Sequence, residues 1–219
     1  MRSRYGRLVQ DRPTIAARLR REGPPTAPRE SASVIVVRDG DGALELLLVQ
    51  RNPEQRFMGG FWVFPGGAVD AGETHRATAV RELAEEARVD GVDAAALVPF
   101  SRWITPEAIQ TRFDTHFFVV RAPRDAQPRV DGRECVDLRW TTPRAALDAY
   151  AAGELALVFP TLKLLESLEP FSSVDRLLAH AAALDVQPVL PRVVQGGGEP
   201  RVLLPGEPGY EARERRSAS

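Results

Sequence analysis

Cysteine is nearly absent from this chain. Cys135 stands alone, so no disulfide can form within the chain and no cluster of cysteines can hold zinc. A reducing compartment is the simpler reading, and a cytoplasmic location is expected. Lysine is as scarce: Lys163 is the single one, and arginine carries the rest of the positive charge. The formal net charge of −1 gives no electrostatic basis for wrapping nucleic acid. Long apolar runs are missing too. None approaches the roughly 20 residues of a membrane span, and the opening "MRSRYGRLVQDRPTIAARLRREG" has no apolar stretch of signal-peptide length. Asp11 and Glu22 argue against a basic transit segment there. What remains, 219 residues with 43% hydrophobic and 27% charged content, suits one globular domain with extensions.

The chemistry concentrates in "FPGGAVDAGETHRATAVRELAEEARV", Phe64 to Val89. A helix from about Thr74 to Arg88, turned by roughly 100° per residue, gathers Val80, Leu83, Ala84 and Ala87 into an apolar stripe. On the same wheel Glu82, Glu85 and Glu86 fall together on the opposite, solvent-facing side. Like charges one turn apart repel by about 0.2–0.5 kcal/mol per pair even on an exposed helix. Arg81 offsets only part of that charge. A hard divalent ion is the natural partner, since Mg²⁺ and Mn²⁺ prefer oxygen ligands and Mg²⁺ fills its remaining positions with water and substrate phosphate. The plain alternative is a solvated glutamate-rich face.

The spacing decides between them. Gly67, five residues, Glu73, seven residues, then Arg81-Glu82-Leu83-Ala84-Glu85-Glu86-Ala87-Arg88-Val89 closely resembles the signature of the Nudix hydrolases, GX5EX7REUXEEXGU. One defined position departs, Arg88 standing where the family has glycine. That glycine follows the helix in a left-handed conformation, which costs other residues about 1 kcal/mol, so the helix is expected to run past Arg88 and stop at Gly91. The resemblance implies that Glu82, Glu85 and Glu86 hold Mg²⁺ or Mn²⁺, that the carbonyl of Gly67 adds a ligand, that Arg81 orients the carboxylates and that Glu73 is structural. It implies cleavage of a diphosphate joined to another moiety by attack of activated water, and leaves open which glutamate takes the proton. Glu134, in "GRECVDLRW", precedes a strand where relatives often place a glutamate facing the metals, and joins the catalytic set as a base or further ligand.

Proline and glycine punctuate the rest. "PPTAP" separates an N-terminal arm, residues 1–30, from the segment that follows. "ASVIVVRDGDGALELLLVQR" reads as a hairpin about Asp39-Gly40-Asp41-Gly42. "FWVFPGG", "ALVPFSRWITP", "TRFDTHFFVVRA" and "CVDLRWTT" supply further strands, with helices from Pro143 and through "FPTLKLLESLEPFSSVDRLLAHAAAL". Strands flanking one helix, followed by helices, predict an α/β fold with a mixed sheet packed between helices. That agrees with the α/β/α sandwich implied by the Nudix resemblance, over residues 31–170. Residues 171–219 form an extension in which Gly196 to Gly198 turn a small ribbon between "LPRVV" and "RVLLPG", ahead of a disordered end. Its expected role is packing against the core or a second subunit; Nudix proteins are often dimers, so a homodimer is an expected assembly.

Upstream of the box, "LLVQRNPEQRFMGGFWVFPGG" resembles the coenzyme A diphosphatase signature LLTXR(S/A)X3RX3GX3FPGG. Leu47, Leu48, Arg51, Arg56, Gly60, Phe64, Pro65, Gly66 and Gly67 match, while Val49 and Asn52 depart. Coenzyme A carries a ribose 3′-phosphate that arginine recognises with its bidentate fork. Arg51, Arg56 and Arg112 are the substrate-binding candidates, each against the plain reading of an arginine paired to a carboxylate. Trp62, Trp103 and Phe113 read as core. His75, His116 and His180 lack metal-ligand spacing along the chain, and His116 is expected to be simply hydrogen-bonded. Three functions stay open: a metal-dependent diphosphatase for coenzyme A or its thioesters, yielding 3′,5′-ADP and (acyl-)phosphopantetheine; a pyrophosphatase for another nucleoside diphosphate derivative such as ADP-ribose, a dinucleotide or an oxidised nucleoside triphosphate; and a non-catalytic Nudix sensor.

Overall fold

The computed structural model describes Leu19 and residues 23–55, 57–194 and 200–211. Strands β1 (Arg29–Asp39) and β2 (Leu44–Arg51) form the expected hairpin, with Val37 opposite Leu46. The turn closes through the Gly40 N–H to the Ala43 carbonyl at 2.9 Å, and Gly42 supplies the left-handed residue at φ 79°. Two short strands follow, β3 (Trp62–Val63) and β4 (Gly66–Ala68), then helix α1 (His75–Ala87). Beyond a 3-10 turn at Ala94–Ala96 come β5 (Val98–Ile104), β6 (Phe113–Arg121) and β7 (Cys135–Thr141). Helices α2 (Pro143–Ala151), α3 (Phe159–Leu168) and α4 (Val174–Ala182) precede β8 (Pro188–Val189), β9 (Arg192–Val194) and β10 (Arg201–Leu203).

The main sheet runs β3-β2-β1-β6-β5-β8, with β4 also on β1 and β7 also on β2. It is mixed: β1 lies parallel to β6 and β8 parallel to β5, while the other pairs are antiparallel. Both faces are covered, which explains the unbroken run Val34-Ile35-Val36-Val37 in β1. Alternate residues divide between two cores. Val34, Val36, Val49, Phe118 and Val120 meet Ala79, Leu83 and Ala87 of α1, whereas Ile35, Val37, Leu48, Phe117 and Val119 meet Leu147, Leu165 and Leu177 from α2, α3 and α4. This is the α/β/α sandwich expected from the sequence, and Trp62 and Trp103 are buried within it.

Two local expectations are corrected. The glutamates do not share one solvent face: Glu86 is 2% exposed on the side of Ala79, Leu83 and Ala87, while Glu85 is exposed and Glu82 lies between. Strand β4 pairs with β1 beside the helix, so an outward position on an isolated wheel is covered. Arg88 does not extend α1 towards Gly91. It adopts the left-handed conformation at φ 52° and its N–H returns to the Ala84 carbonyl at 3.2 Å, so an arginine caps the helix in the conformation that glycine favours.

The C-terminal segment is continuous with this body. Val174, Leu177 and Ala181 of α4 belong to the larger core, and β8 adds to the main sheet beside Arg102 and Trp103. β9 and β10 pair antiparallel as a separate ribbon; the turn expected at Gly196 to Gly198 and the final residues lie outside the described residues. No helix among the described residues is long and apolar enough to cross a membrane.

Candidate active site

Thr74 starts α1. Its hydroxyl accepts from the Ala77 N–H at 3.2 Å, an N-cap typically worth about 1 kcal/mol. Within this frame Arg81 is the hub. Its Nε lies 2.9 Å and one terminal nitrogen 3.0 Å from the two Glu73 oxygens, a bidentate pair. The other terminal nitrogen donates to Glu82 at 2.7 Å and to Glu85 at 3.0 Å. The Arg81 guanidinium and the Thr78 hydroxyl, 2.7 Å away, hold the Glu73 carboxyl down to about 2. Glu73 is therefore a permanent anion that anchors Arg81, which in turn fixes Glu82 and Glu85.

β4 builds the other wall. The Gly66 N–H donates to Glu86 Oε2 at 2.9 Å, and the Ala68 carbonyl accepts from Arg81 at 3.3 Å. Bonds from the Val34 N–H to Pro65 and from the Val69 N–H to Glu30 flank the opposed residues Ala32 and Gly67. This register makes Ala32 and Gly67 the hydrogen-bonded pair, so the Gly67 peptide groups face β1 and those of Gly66 and Ala68 face α1. Gly67 is needed for a second reason: a Cβ there would run into the Glu82 carboxylate.

Glu86 is the most perturbed of the carboxylates. Burial pushes its carboxyl up to about 7, against the pull of the Gly66 N–H and of Arg51, whose Nη1 is 3.5 Å away. Burial likewise raises Glu82, with Arg81 opposing. Cys135, fully buried against Glu86, has its thiol pushed up by the same desolvation. Glu82, Glu85, Glu86 and Glu134 line one cleft of about 240 Å³ with Arg88, Asp131 and Arg133. A second hollow, of about 360 Å³, carries the Asp131, Arg133 and Glu134 surface on to Gln55. Five carboxylates, two of them disfavoured as anions by burial, share the cleft with the guanidinium groups of Arg88 and Arg133, while Arg81 is already tied to Glu73. That donor set, hard oxygen on a partly desolvated wall, fits Mg²⁺ or Mn²⁺.

The structure thus gathers Arg81, Glu82, Glu85, Glu86 and Glu134, with Gly67 alongside. Arg51 joins them from beneath, bonded to Glu86 and, through Nε, to the Phe57 carbonyl at 3.3 Å. Arg112 goes elsewhere. It is 8% exposed and donates to the Thr105 carbonyl at 3.0 Å and the Thr26 carbonyl at 2.6 Å, so its guanidinium ties two loops together. Arg56 lies outside the described residues. Asp131 and Arg133 escaped the sequence reading. The Asp-Gly pair of "DGREC" was the available signal: the Asp131 carboxylate accepts from the Glu134 N–H at 2.9 Å and the Cys135 N–H at 2.8 Å, and so shapes the loop that carries Glu134.

A mixed sandwich carries a glycine strand, an arginine-anchored glutamate helix and a cleft of carboxylates. The chain belongs to the NUDIX domain family, whose model matches residues 27–162. A putative 8-oxo-dGTP diphosphatase 3 from Mycobacterium tuberculosis is 31% identical over 132 residues, 59% of this chain and 59% of that protein. The chain therefore spans less than two thirds of that relative's length. The CTP pyrophosphohydrolase of Escherichia coli K12 is 30% identical over 118 residues, 54% of this chain and 78% of the enzyme. Among solved structures, a NUDIX hydrolase from Alicyclobacillus acidocaldarius superposes with a TM-score of 0.63 at 27% identity, covering 74% of this chain and 99% of that one.

Proposed function

We propose that this protein is a divalent-metal-dependent diphosphatase acting on a nucleoside polyphosphate or nucleoside diphosphate derivative. The observation that carries the reading is the gathering of Glu82, Glu85, Glu86 and Glu134 on one cleft, with Glu86 buried and met by Arg51 only at 3.5 Å. A sensor has no need of a carboxylate as costly to bury as Glu86 within such a cluster, which favours the hydrolase over a binding module. The names of the relatives, an 8-oxo-dGTP diphosphatase and a CTP pyrophosphohydrolase, point to the same bond class.

Glu82, Glu85 and Glu86 would hold Mg²⁺ or Mn²⁺. The backbone oxygen best directed to join them is that of Gly66, whose peptide groups face α1, rather than that of Gly67. A divalent ion held there would supply charge neutralisation on the phosphates and activation of a water for attack on phosphorus. Arg81 keeps Glu82 and Glu85 in place through Glu73. Glu134, exposed on the cleft, would accept the proton of the attacking water. Arg133, beside it, offers a guanidinium to the substrate's phosphates.

Coenzyme A is the finer reading, and its support is narrower than the sequence suggested. Of the three arginines put forward, Arg112 is engaged with backbone carbonyls and Arg51 faces Glu86. The 3′-phosphate contact then rests on Arg56. Incubation with Mg²⁺ or Mn²⁺ and a panel of CTP, 8-oxo-dGTP, ADP-ribose, coenzyme A and dephospho-coenzyme A, with products resolved by mass, tests both levels. Metal-dependent release of a nucleotide from any of these supports the diphosphatase. Turnover of none, or turnover undiminished in excess chelator, overturns it. A preference for coenzyme A over its dephospho form is required for the coenzyme A assignment.

A further inference from the structure

The geometry points to a second metal site, made by Glu30, His75 and His116 and selective for a transition ion such as Zn²⁺ over Mg²⁺. The three residues come from three elements: the start of β1, the first turn of α1 and the middle of β6. One ligand atom from each lies within 4.8 Å of the others. His75 Nε2 is 2.8 Å from Glu30 Oε2, and the two imidazole rings lie 4.0 Å apart between centroids at a tilt of 34°.

The fold forces this meeting. β1 runs parallel to β6 with Glu30 beside Asp114 and Ala32 beside His116, and side chains alternate between faces along a strand. Ala32 and Phe118 pack in the α1 core, so Glu30 and His116 stand on that same face. Thr74 begins α1 over this corner and places His75 between them. Sequence spacing gave no hint of it, since His75 and Glu30 are 45 residues apart.

Burial, with His75 and Arg102 nearby, holds His116 below the usual histidine range. Asp114, the other carboxylate here, is taken: Arg102 grips it at 2.8 and 2.6 Å. That leaves two imidazoles and the Glu30 carboxylate, whose side chain is 52% exposed against 32% for His75. A tetrahedral Zn²⁺ with bonds of about 2.0–2.2 Å sets its ligand atoms roughly 3.3 Å apart. Rotation of the half-exposed Glu30 and His75 side chains would bring ligand atoms that lie within 4.8 Å of one another to that spacing. Two nitrogen donors and one carboxylate suit Zn²⁺, Ni²⁺ or Cu²⁺, whereas the all-oxygen cleft suits Mg²⁺ or Mn²⁺. The sites are also apart, because His75 precedes Glu82 by seven residues and Glu86 by eleven, about 10 and 16 Å along the helix axis. An ion at the corner would staple the N-terminus of α1 to β1 and β6.

Titration of metal-free full-length protein with Zn²⁺, and with Co²⁺ as an absorbing probe, in saturating Mg²⁺ tests the site. We expect one equivalent bound, a Co²⁺ visible band of tetrahedral intensity, and a Tm raised by about 5 °C or more once Zn²⁺ is a hundredfold above its Kd. Outer hydrogen-bond partners of a ligand already change metal affinity about 10- to 100-fold, so His75→Gln and His116→Gln should each weaken Zn²⁺ at least tenfold. Glu85→Gln should leave it unchanged. Absence of a Mg²⁺-resistant equivalent in the unmodified protein overturns the inference, whatever the variants do. So does Zn²⁺ affinity that falls in Glu85→Gln but persists in folded His116→Gln.

Discussion

Replacing Glu86 by glutamine should make the metal-free protein more stable, by an amount that grows with pH. The side chain is 3% exposed, and burial pushes its carboxyl from the ordinary 4.5 to about 7. A carboxyl raised in the folded state favours folding below the unfolded value and loses that advantage as pH climbs through the folded one, because the folded chain then holds an anion that the unfolded chain hydrates better. From a shift of this size the charge costs under 1 kcal/mol at pH 5 and about 3 kcal/mol at pH 8. Glutamine keeps an acceptor for the Gly66 N–H and carries no charge. Comparison at two pH values cancels whatever its amide group costs in packing. Urea unfolding in excess chelator should show Glu86→Gln gaining about 2–3 kcal/mol on the unmodified protein between pH 5 and pH 8. Addition of Mg²⁺ should narrow the gap at pH 8, since the ion stabilises the native charged cluster. Equal differences at the two pH values, or a variant that loses ground at pH 8, would refute the argument that Glu86 is a strained anion awaiting a cation.

Glu85→Gln should lower turnover by orders of magnitude while leaving the melting curve nearly unchanged, because Glu85 is exposed and its bond to Arg81 is one of several; a large drop in Tm would show that the loss of activity came from the fold. Arg88→Gly should stabilise the protein by about 0.5–1 kcal/mol in urea unfolding, since glycine occupies φ 52° without the strain an arginine bears. Asp114→Ala strands Arg102, and with that arginine about one third exposed the loss is expected near 2 kcal/mol, below the 3–5 typical of fully buried pairs. Because Arg102 holds Asp114 below its ordinary value, this contribution is present above the unfolded carboxylate range and fades as pH falls through the folded one. Arg51→Ala should reduce kcat/KM equally on coenzyme A and dephospho-coenzyme A; a loss confined to coenzyme A would mean that Arg51 leaves Glu86 to meet the 3′-phosphate.

The sandwich and the identity of the glutamate helix were legible because both rest on local pattern: a hairpin turn at Asp39-Gly40-Asp41-Gly42, apolar strand segments divided by proline and glycine, and a fixed spacing from Gly67 to Glu86. The burial of Glu86 was not, since it depends on β4 lying across the helix, a contact between segments that no helical wheel includes. Arg88 misled for a related reason. Propensity assigns the left-handed position to glycine, yet the geometry after Ala87 holds an arginine there, and tertiary context overrides a preference of about 1 kcal/mol. Arg112 looked free to recognise phosphate because the carbonyls of Thr26 and Thr105 meet only in the folded chain. His75 and His116 went unpaired on paper for the same cause: their partnership is set by the parallel register of β1 with β6.

Strand β8 carries a consequence for how the protein avoids self-association. It covers β5 along Arg102 and Trp103, where an open edge would otherwise present unpaired peptide groups to any extended chain. The strand that does the covering begins with Pro188, and Pro191 follows two residues after it ends. Proline has no N–H to donate, so the new rim is a poor template for a further strand. The tail therefore ends the sheet on its β5 side, and a chain cut before Gln187 should keep its glutamate cleft yet aggregate through the uncovered edge of β5.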